Sequence, residues 1–205
     1  SRAMNKEERK ITAYHEVGHA LAGHYSPKCD PVHKISIVSR GMSLGATWFL
    51  PEEDKHLSSR SKFMDEIISL MGGYTAEELI FGEMTTGASN DLERASKLAR
   101  KMVTEFGMST LGPIIYGEAN QEVFLGRDFG RVRNFSEKMA AEIDAEVEKI
   151  VKEGYEASKK VLKKHLKEMH KIAATLIEKE TLTQQEFLNF LPKKTWKKSE
   201  IKAAK

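Results

Sequence analysis

The chain has 205 residues, 40% of them hydrophobic, and 33 basic against 30 acidic side chains leave a formal net charge of +3. That length buries a real core in one domain or two small ones, and the interleaved charges exclude a strong electrostatic draw toward nucleic acid or a membrane surface. The single cysteine, Cys29, excludes an intrachain disulfide and fits a reducing compartment, and no apolar run is long enough to span a bilayer.

Ser1-Arg2-Ala3-Met4 reads as a cloning scar ahead of an excised domain, and no signal peptide opens the chain. A helix is expected from Asn5, which forms a capping-box pattern with Glu8, to the stop at Tyr25-Ser26-Pro27. Ile11, Tyr14, Val17, Gly18 and Leu21 form its apolar stripe. Inside it lies His15-Glu16-Val17-Gly18-His19. Two histidines four apart share one helix face, so both imidazoles reach one metal ion, with room for a third ligand and a water. Glu16 lies beside that face, where its carboxylate can take a proton from such a water. The spacing points to zinc-dependent cleavage of peptide bonds. The competing reading, a solvated pair of helical histidines, is weakened by the capped amphipathic helix around the motif.

Residues 32–38 and 44–50, rich in β-branched and aromatic side chains around the turn chemistry of Ser39-Arg40-Gly41, predict a two-strand unit. Its second strand offers Gly45, Ala46, Thr47, Trp48 and Phe49 as a candidate edge for an extended peptide substrate; a plain hairpin covering the helix is the equal alternative. Residues 61–71 predict a helix, after which Gly72-Gly73 either breaks it or makes a notch for close packing. Thr75-Ala76-Glu77-Glu78 has the form of a capping box opening a short helix that stops at Gly82. A loop at 85–90 precedes a strong helix over 91–106, with Asn90 and Glu93 as its cap pair. Residues 107–133 read as a long loop with little regular structure. From Phe135 two helical stripes follow, one through Met139, Ile143, Val147 and Ile150, the other from Val161 and Leu162 to Ile177, as in packed antiparallel helices. Thr183 with Glu186 starts a last short helix, and the Lys-rich residues 192–205 read as a disordered tail.

The third metal ligand remains open on spacing alone. The extended pattern with a third histidine six residues on fails at Ala22 and Tyr25. His24 lies roughly 140° around the helix from the metal side, as a surface or supporting histidine. Glu52 and Glu53 fall in a strand-end loop, whereas Glu77, Glu78 and Asp91 are all expected at helix starts, where the dipole holds a carboxylate ionised.

The motifs His15-Glu16-Val17-Gly18-His19-Ala20, Leu50-Pro51-Glu52-Glu53-Asp54, Ala76-Glu77-Glu78-Leu79-Ile80-Phe81-Gly82, Thr86-Gly87-Ala88-Ser89-Asn90-Asp91-Leu92, Gly107-Met108-Ser109 with Leu111-Gly112-Pro113, and Phe124-Leu125-Gly126-Arg127-Asp128 together resemble the peptidase domain of the FtsH-type ATP-dependent zinc proteases. They run in the same order across most of the chain. The resemblance implies a zinc endopeptidase over 5–191, with a catalytic part at 5–134 and a helical part at 135–191. It implies a mainly α-helical, zincin-like fold with a small β hairpin beside the motif helix and a C-terminal helical bundle. His15, His19 and Asp91 would be the zinc ligands, Glu16 the general base, and Glu77 the acid that hydrogen-bonds a ligand histidine and fixes its tautomer. It further implies unfolded or membrane-extracted polypeptide substrates, one Zn2+ per chain, a homo-hexamer, and a membrane anchor with this domain on the cytoplasmic side. ATP would be used by an AAA module, and no Walker A sequence lies in this chain. Two other readings are a metal-stapled module that seats an ATPase ring and a stand-alone soluble metalloprotease.

Overall fold

The computed structural model describes residues 4–38, 44–51, 56–117 and 134–193. The chain starts with helix α1 (Lys6–His24), capped by the expected Asn5 and Glu8 box, and turns into strand β1 (Val32–Ser36) and strand β2 (Ala46–Phe49). Helix α2 (Arg60–Phe81), a 3₁₀ turn (Thr86–Ala88) and helix α3 (Ser89–Thr104) follow. The last part is helix α4 (Glu137–Lys164), helix α5 (Leu166–Lys179), strand β3 (Thr181–Thr183) and helix α6 (Gln184–Asn189). The molecule is therefore mainly helical, with one antiparallel sheet in the order β2-β1-β3.

Helix α2 answers the question left at Gly72-Gly73. It runs unbroken through both glycines, because α1 crosses it there at backbone distance: a Cβ on Gly18 would lie 2.2 Å from the Gly72 carbonyl oxygen, and one on Gly72 would lie 2.4 Å from that of Gly18. Each helical glycine costs roughly 1 kcal/mol of propensity, which the close packing of α1 on α2 offsets. This crossing sets the distance between the two walls of the site described below.

Three local expectations change. Thr75 caps nothing: it is fully buried inside α2 and turns its hydroxyl back on the Met71 carbonyl, 2.8 Å away. The expected stop at Gly82 stands, its left-handed φ of 73° suiting glycine. Asn90 likewise sits within α3, which starts at Ser89 and not at Asp91 because the 3₁₀ turn, capped by Thr85, feeds straight into it. Val161 and Leu162 belong to α4, not to the following helix; the break comes at His165, whose ring stacks on Tyr25 at 3.9 Å.

Two cores flank α2. One joins α1 (Val17, Leu21), β1 (Ile35), α5 (Met169, Ile172, Leu176), Leu182 and Phe187; the other joins α2 (Ile67, Met71), α3 (Ala99, Met102, Val103) and α4 (Ile143, Ile150). Each core draws on segments from both sides of residue 135. β3, three residues long, pairs antiparallel with β1 directly after α5 ends at Glu180 in a left-handed conformation. The Ser39-Arg40-Gly41 turn, Glu52 and Glu53, the 124–128 motif and the tail beyond 193 lie outside the described residues.

Candidate metal centre

Helix α1 is buried without interruption from Thr12 to His24, so its two motif histidines face protein instead of water. His15 and His19 stack edge-on, with ring centroids 4.6 Å apart and Nε2 atoms 3.0 Å apart. The first turn of α3 brings Asp91 Oδ2 to 3.2 Å from His15 Nε2 and 3.1 Å from His19 Nε2. Among the described residues, His15, His19 and Asp91 are the cluster of His, Cys, Asp or Glu side chains whose ligand atoms could share one metal ion.

The outer nitrogens fix the tautomers. His19 Nδ1 lies 2.8 Å from the Ser69 carbonyl, which can only accept, so Nδ1 carries the proton and Nε2 presents a lone pair. His15 Nδ1 donates in the same way to Glu77 Oε1 at 2.8 Å. Two nitrogen lone pairs and a carboxylate oxygen thus converge on one point, an arrangement that repels itself unless a cation or a proton sits among them. The separations of 3.0–3.2 Å approach the edge of about 3.3 Å in a tetrahedron with metal–ligand bonds of 2.0–2.1 Å. Gly73 supplies the space: a Cβ there would lie 2.4 Å from His15 Cε1 and 2.6 Å from His19 Nε2. The residues present fit a small divalent cation that accepts nitrogen and oxygen donors.

The protons show the same tension. Burial alone would lower the pKa of His15, but its hydrogen bonds to Asp91 and Glu77 outweigh that and raise it to about 9. Burial works against Asp91 too, yet the bonds to His15 and His19 hold its carboxyl well below the usual range. Glu77, opposed by burial, is lowered by His15 and by the Thr85 backbone N–H, 2.6 Å away. A folded-state pKa of His15 raised above 6.5 contributes stability fully present below about pH 6.5 and lost as pH rises through about 9. The metal-free chain should therefore lose stability as the pH rises between those limits. Urea unfolding in a chelator across that window checks this, and His15→Gln should flatten the slope.

Glu16 is buried and takes a hydrogen bond from the Thr47 hydroxyl on β2, 2.7 Å from Oε2. Glu77 lies near the end of α2 and Glu78 beside it, so the expectation that both open a helix fails with the Thr75 cap; only Asp91 occupies a first turn. Glu78 points away, to the Tyr155 hydroxyl at 2.6 Å and Lys159 at 2.9 Å on α4. His24 is not at the surface but packs against Phe187 and Tyr25 in the first core. Along β2, the outermost strand, Thr47 and Phe49 turn toward α1, where Phe49 covers Gly23, while Trp48 lies on the opposite face under Lys34. Ser69 and Gly73 were not legible as site residues, and Thr47, expected only along a substrate edge, was not legible as a partner of Glu16. Ser69 acts through its carbonyl and Thr47 from 31 positions away; the glycine pair was the one visible sign. A surface groove of about 1470 Å³ beside Pro27, Lys28 and Leu188 includes none of the cluster residues.

The sequence profile of peptidase family M41 matches residues 2–190. The chain is 50% identical over 188 residues to the ATP-dependent zinc metalloprotease FtsH 1 of Thermoanaerobacter sp., covering 91% of this chain and 31% of that protein. It is 53% identical to the ATP-dependent zinc metalloprotease FtsH of Kosmotoga olearia (91% and 29% covered) and 47% identical to that of Thermotoga maritima (93% and 32%). The chain thus spans about a third of the length of these curated relatives.

Proposed function

This chain belongs to peptidase family M41, and from that premise we propose that it is the peptidase part of an ATP-dependent zinc protease, cutting unfolded or membrane-extracted polypeptides internally. His15 Nε2, His19 Nε2 and Asp91 Oδ2 would hold one Zn2+. When bound, the ion supplies a Lewis acid that polarises a peptide carbonyl and brings the pKa of a water to about 7.

The chain's own residues do the rest. Glu16 accepts the proton of the attacking water on its carboxylate and returns it to the departing amide nitrogen, so no proton is lost to solvent in between. Glu77 and the Ser69 carbonyl keep both Nδ1 protons in place, which points both Nε2 lone pairs inward. The edge of β2 beside Glu16 would align an extended substrate through Gly45, Ala46, Thr47, Trp48 and Phe49 by main-chain pairing. ATP would act through an AAA module outside this chain, in a homo-hexamer with a membrane anchor that leaves this part on the cytoplasmic side; none of the helices among the described residues is long and apolar enough to cross a membrane.

The observation that carries this reading is the convergence of His15 Nε2, His19 Nε2 and Asp91 Oδ2 within 3.2 Å of one another. Metal removal tests it. After chelation and dialysis, hydrolysis of unfolded casein should fall to background and return with about one equivalent of zinc. Unchanged hydrolysis in the stripped protein contradicts it, and a stripped chain that stays inactive with zinc but assembles into a ring supports the metal-stapled module instead.

A further inference from the structure

The placement of Glu16 depends on a contact that the metal cluster does not provide. Its carboxylate is buried, and the Thr47 hydroxyl oxygen lies 2.7 Å from Oε2 and 2.9 Å from the carbonyl oxygen of the same residue. Thr47 reaches it because β2 alternates: position 47 pairs with the buried Ile35 on the inner face of the sheet, while Trp48 pairs with Lys34 on the outer face. Gly45, also on β2's approach to α1, leaves room beside Oε1, since a Cβ there would lie 2.9 Å from it.

We propose that Thr47 is the positioning residue for Glu16, its hydroxyl holding Oε2 so that Oε1 faces the reacting water. This rests on the assignment of Glu16 as general base. A hydroxyl has one proton and two lone pairs. It donates to Oε2 of the carboxylate, 2.7 Å away; once Oε1 has taken the water's proton, Oε2 is the carbonyl oxygen of the acid and still accepts from the same hydroxyl. One rotamer of Glu16 is thus satisfied before and after the proton arrives, and no side-chain rearrangement is needed between the two half-reactions. The same contact ties the strand expected to receive substrate to the base. Thr47 therefore contributes to the chemical step through Glu16, and its side chain leaves substrate binding to the β2 backbone.

Thr47→Val keeps the shape and strand preference and removes the hydroxyl; Thr47→Ser keeps the hydroxyl. With a quenched fluorescent peptide, Thr47→Val should lower kcat at least about tenfold, since a misplacement of 1 Å can cost roughly 10²-fold, with KM within about twofold and zinc content unchanged. Thr47→Ser should recover to within about threefold of wild type. A wild-type kcat in Thr47→Val, equal losses in both variants, or a change confined to KM would each overturn the proposal. Unfolding of the metal-free chain gives a readout without catalysis: Thr47→Val and Glu16→Ala should be non-additive in a double-mutant cycle, and additive effects would overturn it. Glu16→Gln separates the two layers. If it keeps the wild-type rate, the base assignment fails; if it is inactive while Thr47→Val is normal, Thr47 alone is misassigned.

Discussion

Glu16→Gln is expected to fold, to keep its metal, and to hydrolyse peptide at least about 10²-fold more slowly than the parent chain. The amide has the size of the carboxylate and its oxygen can still accept from Thr47, 2.7 Å away in the parent, so the neighbourhood is preserved. What is lost is the ability to take and return a proton at neutral pH, a contribution of roughly 10²–10⁴ in rate. Paired measurements of kcat and of zinc per chain decide it. A loss of both would show that Glu16 supports the metal cluster, and a wild-type rate would remove it from the chemistry.

Asp91→Ala should weaken zinc binding by more than about 100-fold and abolish hydrolysis with it. Losing a group that only supports a ligand typically costs 10–100-fold, and Asp91 does more: its Oδ2 is the third point of the cluster and, among the described residues, the one anion within 3.2 Å of both Nε2 atoms. The variant should still fold, because Asp91 is partly exposed in the first turn of α3, while Ala95, Ala99, Met102 and Val103 on the same helix hold it in the second core. Competition against a fluorescent chelator reads the affinity. Unchanged affinity would place the third ligand elsewhere, with Glu77 the next carboxylate, already bonded to His15.

The motif helix was legible because every local signal agreed: the Asn5 and Glu8 cap, the apolar stripe and the stop at Tyr25 all reappear in α1. The path of α2 was not. Gly72-Gly73 and Thr75 carry local chemistry for a break and a new start, and it is the backbone contact with Gly18, from a helix over fifty positions earlier, that overrides it. β3 escaped for a related reason: the alternation of Thr181-Leu182-Thr183 is too short to mark a strand, and the strand exists because β1 offers it an edge. At the site, side chains that ligate could be read from residue type and from the family pattern. The groups that orient them are a carbonyl, a missing Cβ and a distant hydroxyl; of these only the glycine left a local sign, and that sign reads equally as a helix break.

The central claim is that two imidazoles and one carboxylate of this chain hold a zinc ion. X-ray absorption at the zinc edge, on chain shown by elemental analysis to carry about one zinc, tests it most directly. The account predicts two imidazole nitrogens with oxygen donors at about 2.0–2.1 Å and no sulfur. Zinc below about a tenth per chain after loading, a third imidazole, or sulfur at about 2.3 Å would contradict it.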